Sequence, residues 1–97
     1  MVQTIAWTHE ANRTFSQICT YLHETWSEKE VWRFTDLVSE KLALLERYPR
    51  LGSITKRRDI RKTVVHKNVI LVYKYFPRKK KISLLKFWDT RQNPSKM

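Results

Sequence analysis

The chain has 97 residues, with 20 Lys+Arg against 9 Asp+Glu and a formal net charge of +11. That length makes one small domain, 1–97, with no room for separate binding and catalytic domains. At 41% hydrophobic the chain has the apolar surface to fold, its one glycine rules out the Gly-rich loops that cradle phosphates, and its one cysteine excludes an internal disulfide and every multi-cysteine zinc motif.

The N-terminal stretch has neither the basic start nor the apolar core of a secretory signal. The longest strongly apolar run, Val69 to Tyr73, is too short to span a bilayer. A cytoplasmic protein without membrane contact is expected.

Val2 to Trp7 is β-branched and aromatic and predicts a strand. Thr8 is placed to cap a helix in which Ala11, Phe15, Ile18, Cys19 and Leu22 recur at helical spacing, with Trp26 near its end. Ser27-Glu28-Lys29-Glu30 has the form of a capping box for a second helix. Its apolar stripe runs from Val31 and Phe34 through Val38, Leu42 and Leu45 to Tyr48. Pro49 stops that helix and Leu51-Gly52 turns the chain. After Gly52 the period changes to two, with Ile60, Lys62 and Val64 alternating with Arg61, Thr63 and Val65. Lys67-Asn68 reads as a tight turn with Asn68 suited to positive φ, Asn68 to Phe76 as a central strand, and Ile82 to Trp88 as a last one after the charged turn Pro77 to Lys81. The expected fold class is α+β. It comprises an N-terminal strand, an antiparallel helical hairpin and then a three-stranded antiparallel meander forming one sheet, with a tail over 89–97.

The charge is uneven. Residues 1–49 carry a net −2 and residues 50–97 a net +13. A near-neutral half joined to an intensely basic one predicts a charged face that attracts polyanions or an acidic partner.

The order of elements resembles the RelE/ParE superfamily of bacterial toxins, and particular residues carry the likeness. Leu44-Leu45-Glu46-Arg47-Tyr48-Pro49-Arg50-Leu51-Gly52 is similar to the family's leucine, proline and glycine ending of its second helix. Ile60-Arg61-Lys62 resembles its basic second strand, and Ile70-Leu71-Val72-Tyr73 its central strand. The segment Leu84 to Pro94 resembles the last strand and tail of one branch. The resemblance implies the toxin of a type II toxin–antitoxin pair, silenced by a cognate antitoxin protein. RelE-like members cleave mRNA in the ribosome, whereas ParE-like members poison DNA gyrase, and the fold does not separate the two.

RNA cleavage needs a base for the 2′-hydroxyl, charge stabilisation at the phosphate and an acid for the leaving oxygen. RelE-like toxins resemble one another in an arginine directly before the Leu-Val-Tyr strand, and that position is Ile70 here. They also tend to carry a tyrosine or histidine near the last strand; Asp89 to Met97 holds neither. Arg91 corresponds to their basic residue after that strand, and Arg61 stands where the second strand has a catalytic lysine or arginine. Arg61, His66 and Arg91 are therefore the candidates if the protein is a nuclease, although His66 reads more readily as a solvent-exposed turn residue.

Lys62 and Lys86, with Arg61 and Arg91, are the candidates for binding a target or nucleic acid, the two lysines reading also as solvated sheet positions. Trp32 and Trp88 are the candidates for burial under an acidic, partly disordered antitoxin segment. His9 and His23 lie at opposite ends of the first helix, so no metal site is expected, and no cofactor motif is present. Three classes remain: a nuclease toxin, an inhibitor of gyrase acting without chemistry, and a plain nucleic-acid-binding module. The departures at Ile70 and in the tail favour the second.

Overall fold

The computed structural model describes residues 3–91. Its elements are β1 (Thr4–Trp7), α1 (His9–Thr25), α2 (Glu28–Arg47), β2 (Ser53–Ile54), β3 (Ile60–His66), β4 (Val69–Phe76) and β5 (Lys81–Asp89). Val2 and the tail from 92 onward fall outside the described residues.

Thr8 ends β1 and caps α1: its hydroxyl accepts the Ala11 N–H at 3.1 Å and donates to the Leu84 carbonyl at 2.7 Å. Ser27 caps α2 by accepting the Glu30 N–H at 3.3 Å. The return half of the expected capping box is replaced by another bond. The two helices abut so closely that the Ser27 N–H already donates to the Leu22 carbonyl at the end of α1. That abutment folds α1 and α2 into the predicted hairpin, joined only through Trp26 and Ser27.

The sheet runs β1-β5-β4-β3-β2. Strands β3, β4 and β5 form the expected antiparallel meander. Two pairings enlarge it to a mixed five-stranded sheet. β1 lies parallel to β5, with Ile5 opposite Ile82 and Trp7 opposite Leu84, and β2 pairs antiparallel with β3 through Ser53 and Ile54. A parallel neighbour needs a long crossover, and the two helices supply most of the chain between β1 and β5. The turn at Lys67-Asn68 forms without positive φ at Asn68; among the described non-glycine residues only Asp59 and Lys80 adopt it. A bulge between Val64 and His66 supplies the extra twist that such a turn needs.

Both helices cover one face of the sheet. Phe34, Leu45, Leu71, Tyr73, Ile82 and Leu84 are fully buried between the layers. An aromatic group links them at one end, where Phe15 stands 5.3 Å from Trp7, 5.5 Å from Phe34 and 5.5 Å from Phe87. Trp26 and Tyr48 depart from the predicted stripe: both are more than half exposed, because each sits at a helix end beyond the reach of the sheet. Among the described residues no helix is long and apolar enough to cross a membrane.

The loop after α2 is fastened from below. The Tyr73 hydroxyl accepts the Gly52 N–H at 2.9 Å and donates to the Pro49 carbonyl at 2.9 Å. A Cβ at Gly52 would fall 2.7 Å from that hydroxyl and 2.8 Å from the Lys62 carbonyl, so this glycine is required by close approach.

Candidate functional site

The face of the sheet turned away from the helices carries the chain's most suggestive grouping. Cross-strand register sets Lys62 opposite Val72 and Val72 opposite Lys86. The two lysines therefore flank one valine in a single row, about 10 Å apart at two strand spacings. The next row is Val64, Ile70 and Trp88. The Lys86 ammonium lies 4.7 Å from the Trp88 ring centroid, a cation–π contact that ties the two rows together. Lys62, Lys86, Val72 and Leu85 line a cavity that continues to the loop around Lys56 and Arg57. A second aromatic stands at the far end of this face: Phe76 has the ammonium groups of Lys74, Lys79 and Lys81 at 5.1, 5.7 and 5.9 Å.

Lys86 reaches this face through a register shift. Ile82 and Leu84 point to the helices, and strict alternation would send Lys86 inward with them. A bulge opposite Val72 and Tyr73 inserts Leu85, so Lys86 and Trp88 point outward while Phe87 and Asp89 are buried.

The remaining candidates lie elsewhere. Arg61 pairs with Tyr73 and shares its helix-facing side. Its Nη1 donates to the Gly52 carbonyl at 2.8 Å and to the Arg50 carbonyl at 3.3 Å, which fastens the guanidinium to the loop after α2. His66 is not the exposed turn residue that the sequence allowed. The bulge in β3 turns its half-buried ring inward, edge-on to Phe34 at 6.0 Å, and its Nδ1 is buried without a partner.

Arg91 lies beyond β5, its Nε 3.4 Å from Asp89 Oδ1 and its guanidinium 5.4 Å from the Tyr21 ring centroid. Trp32 stands on the solvent side of α2, 66% exposed. The structure thus brings Lys62, Lys86 and Trp88 together, and separates them from Arg61, His66, Arg91 and Trp32.

Two features were not singled out from sequence. One is the lysine ring about Phe76, for which the signal was the alternation of Lys74, Phe76 and the following basic turn. The other is the exposure of the large apolar side chains Leu44 and Ile54, beside Trp26 and Tyr48. Cys19 is half-buried and burial pushes its thiol up, as suits a packing residue. Among the described residues no group of three His, Cys, Asp or Glu side chains is placed to hold a metal ion.

A family model described as the ParE toxin of the type II toxin–antitoxin system parDE matches residues 5–94. No curated protein sequence matches. Among solved structures, a chromosomal ParDE toxin–antitoxin system from P. aeruginosa superposes with a TM-score of 0.72 at 12% identity, over 89% of this chain and 94% of that one. A RelBE toxin–antitoxin complex from Mycobacterium tuberculosis gives 0.65 at 16% identity, over 90% and 96%. The E. coli toxin RelE, as a mutant in the free state, gives 0.67 at 13% identity, over 97% and 90%. At these identities the structural likeness is one of fold.

Proposed function

The chain belongs to the ParE toxin family of type II toxin–antitoxin systems, and from that premise we propose that it arrests growth by inhibiting DNA gyrase without cutting RNA, and that a cognate antitoxin silences it. The observation that carries this reading is the dispersal of the candidate nuclease residues. Arg61 is fastened to two backbone carbonyls, His66 faces Phe34 beneath α2, and Arg91 pairs with Asp89. General acid–base chemistry needs its acid and base within hydrogen-bond reach of one phosphate. These three groups do not converge on one.

The two central rows of the open face hold cations and an aromatic with no histidine, tyrosine or carboxylate among them, which suits gripping a target. The reading entails one domain over 1–97 acting in the cytoplasm, with no small-molecule cofactor. One observation favours a RelE-like ribosome-dependent nuclease instead: Lys62 and Lys86 flank a single row and could clamp a phosphate.

The antitoxin would have to wrap. Trp32 lies on the helical layer and Trp88 on the opposite face of the sheet, so a segment burying both passes around the molecule. An acidic, partly disordered segment fits this geometry and the charge of the basic half.

Inducible expression without a partner gene, followed by 5′-end mapping of cellular RNA and a DNA-damage reporter, tests the reading. Growth arrest with intact messages and an induced damage response is expected. New cuts inside translated messages would establish the nuclease reading in its place, and absence of arrest with folded protein present would remove the toxic activity altogether.

A further inference from the structure

A cluster of cations lies at one end of the sheet and meets the cavity of the Lys62–Lys86 row at Arg57, which lines both. The loop joining β2 to β3 and the turn joining β4 to β5 emerge side by side there. The Tyr75 N–H donates to the Asp59 carbonyl at 3.0 Å, and Pro77 and the loop residues Arg57 to Asp59 line the same cavity. Between them, segments 55–59 and 77–81 carry seven Lys and Arg and one acid, Asp59. The cavity is walled by Arg50, Arg57, Arg58 and Arg61 over the phenol ring of Tyr75.

Two of these arginines are held in place. Arg50 lies 5.1 Å from the Tyr75 ring centroid, and Arg61 is fixed through Nη1 to the Gly52 and Arg50 carbonyls. Its other N–H groups have no partner among the described residues. Arg57 and Arg58 are exposed on the loop and complete the rim.

We propose that this arginine-walled cavity and the basic turn beside it bind the phosphodiester backbone of duplex DNA, independently of base sequence. Guanidinium groups present donors in a planar fork that matches two phosphate oxygens, and here four of them surround one opening. Duplex DNA carries one negative charge per about 1.7 Å of axis, a density that answers a cluster split over two adjacent turns. The open face, by contrast, interleaves its lysines with Val64, Ile70, Val72 and Leu85, a surface better suited to a partly apolar peptide. The inference stands apart from the choice of gyrase as target, since it concerns binding of DNA alone.

The test measures fluorescence anisotropy of a labelled mixed-sequence duplex with purified toxin, between about 50 and about 200 mM salt. Three proteins are compared: the parent, Arg57→Ala/Arg58→Ala, and Lys62→Ala/Lys86→Ala. Far-UV circular dichroism confirms folding, and Arg78→Ala/Lys79→Ala on the neighbouring turn serves if the first double variant folds poorly.

The parent should bind with a steep salt dependence. Loss of the two loop arginines should weaken binding at least about tenfold at the lower salt and flatten the log–log slope by about two. The open-face variant should keep the parent's log–log slope. A slope lost in Lys62→Ala/Lys86→Ala and kept in the arginine variant would overturn the proposal by moving the DNA to the open face. Absence of duplex binding, with a polyglutamate peptide bound through Arg57 and Arg58, would overturn it in favour of an acidic-peptide site.

Discussion

At Tyr73 a single hydroxyl answers two backbone groups of the loop that follows α2, accepting from Gly52 and donating to Pro49. The side chain is fully buried. Tyr73→Phe keeps the packing and strands both backbone groups, so a loss of about 1–3 kcal/mol in denaturant unfolding is expected. Burial also pushes the Tyr73 phenol above its ordinary value of about 10, against smaller opposing effects of the Gly52 bond and the charge on Arg61. The folded state then holds this proton more tightly than the unfolded chain. The associated stability is present in full below the unfolded pKa and is lost as pH rises above about 10 toward the folded value. Alkaline unfolding curves of the parent and of Tyr73→Phe should therefore converge as pH climbs. A constant gap between them would show that ionisation of Tyr73 does not contribute.

At the scale of elements, β5 is paired on both sides in its first half and on one side in its second, because β1 ends at Trp7 opposite Leu84. The helix that follows β1 takes over the exposed edge. The Thr8 hydroxyl donates to the Leu84 carbonyl, and the Thr14 hydroxyl accepts the Phe87 N–H at 2.9 Å while donating to the Glu10 carbonyl at 2.8 Å. These side chains bond backbone groups of β5 along the edge where β1 has ended. Thr14→Val is close in shape and lacks the acceptor, so it should cost about 1–3 kcal/mol, with Thr14→Ser recovering most of it in thermal melts. If Val and Ser behave alike, the bond does not support this edge of β5. Helix ends, the change of period after Gly52 and the central strand were all legible in sequence, since caps, Pro49 and alternation are local signals. The parallel pairing of β1 and the two-residue β2 were not, because neither leaves a periodic trace. The facing of His66 and Lys86 was hidden for a related reason: one inserted residue inverts alternation, and only the neighbouring strand reveals the insertion.

Across the whole molecule, charge and apolar exposure are distributed over three surfaces: the open sheet face, the helical layer with Trp26 and Trp32, and the arginine-rich end. Sequence gave the basic half as a block, whereas folding divides it, with Arg61 and Lys62 sent to opposite faces by the period of the strand. A wrapping antitoxin should protect both the α2 segment around Trp32 and the β5 segment around Trp88 from amide hydrogen exchange. Protection confined to residues 1–26, with the basic half unaltered, would rule out that mode of neutralisation.

The parallel junction of β1 with β5 bears on how the protein comes into being. Thr8 and Leu84, bonded across that junction, are 76 positions apart in the chain. During synthesis β1 emerges early and waits, its Ile5 and Trp7 without their partners, until the last strand has been made. Closing so long a loop is slow compared with forming the helical hairpin. The finished sheet is therefore a property of the completed polypeptide, and a ribosome still making this toxin carries only a half-built one.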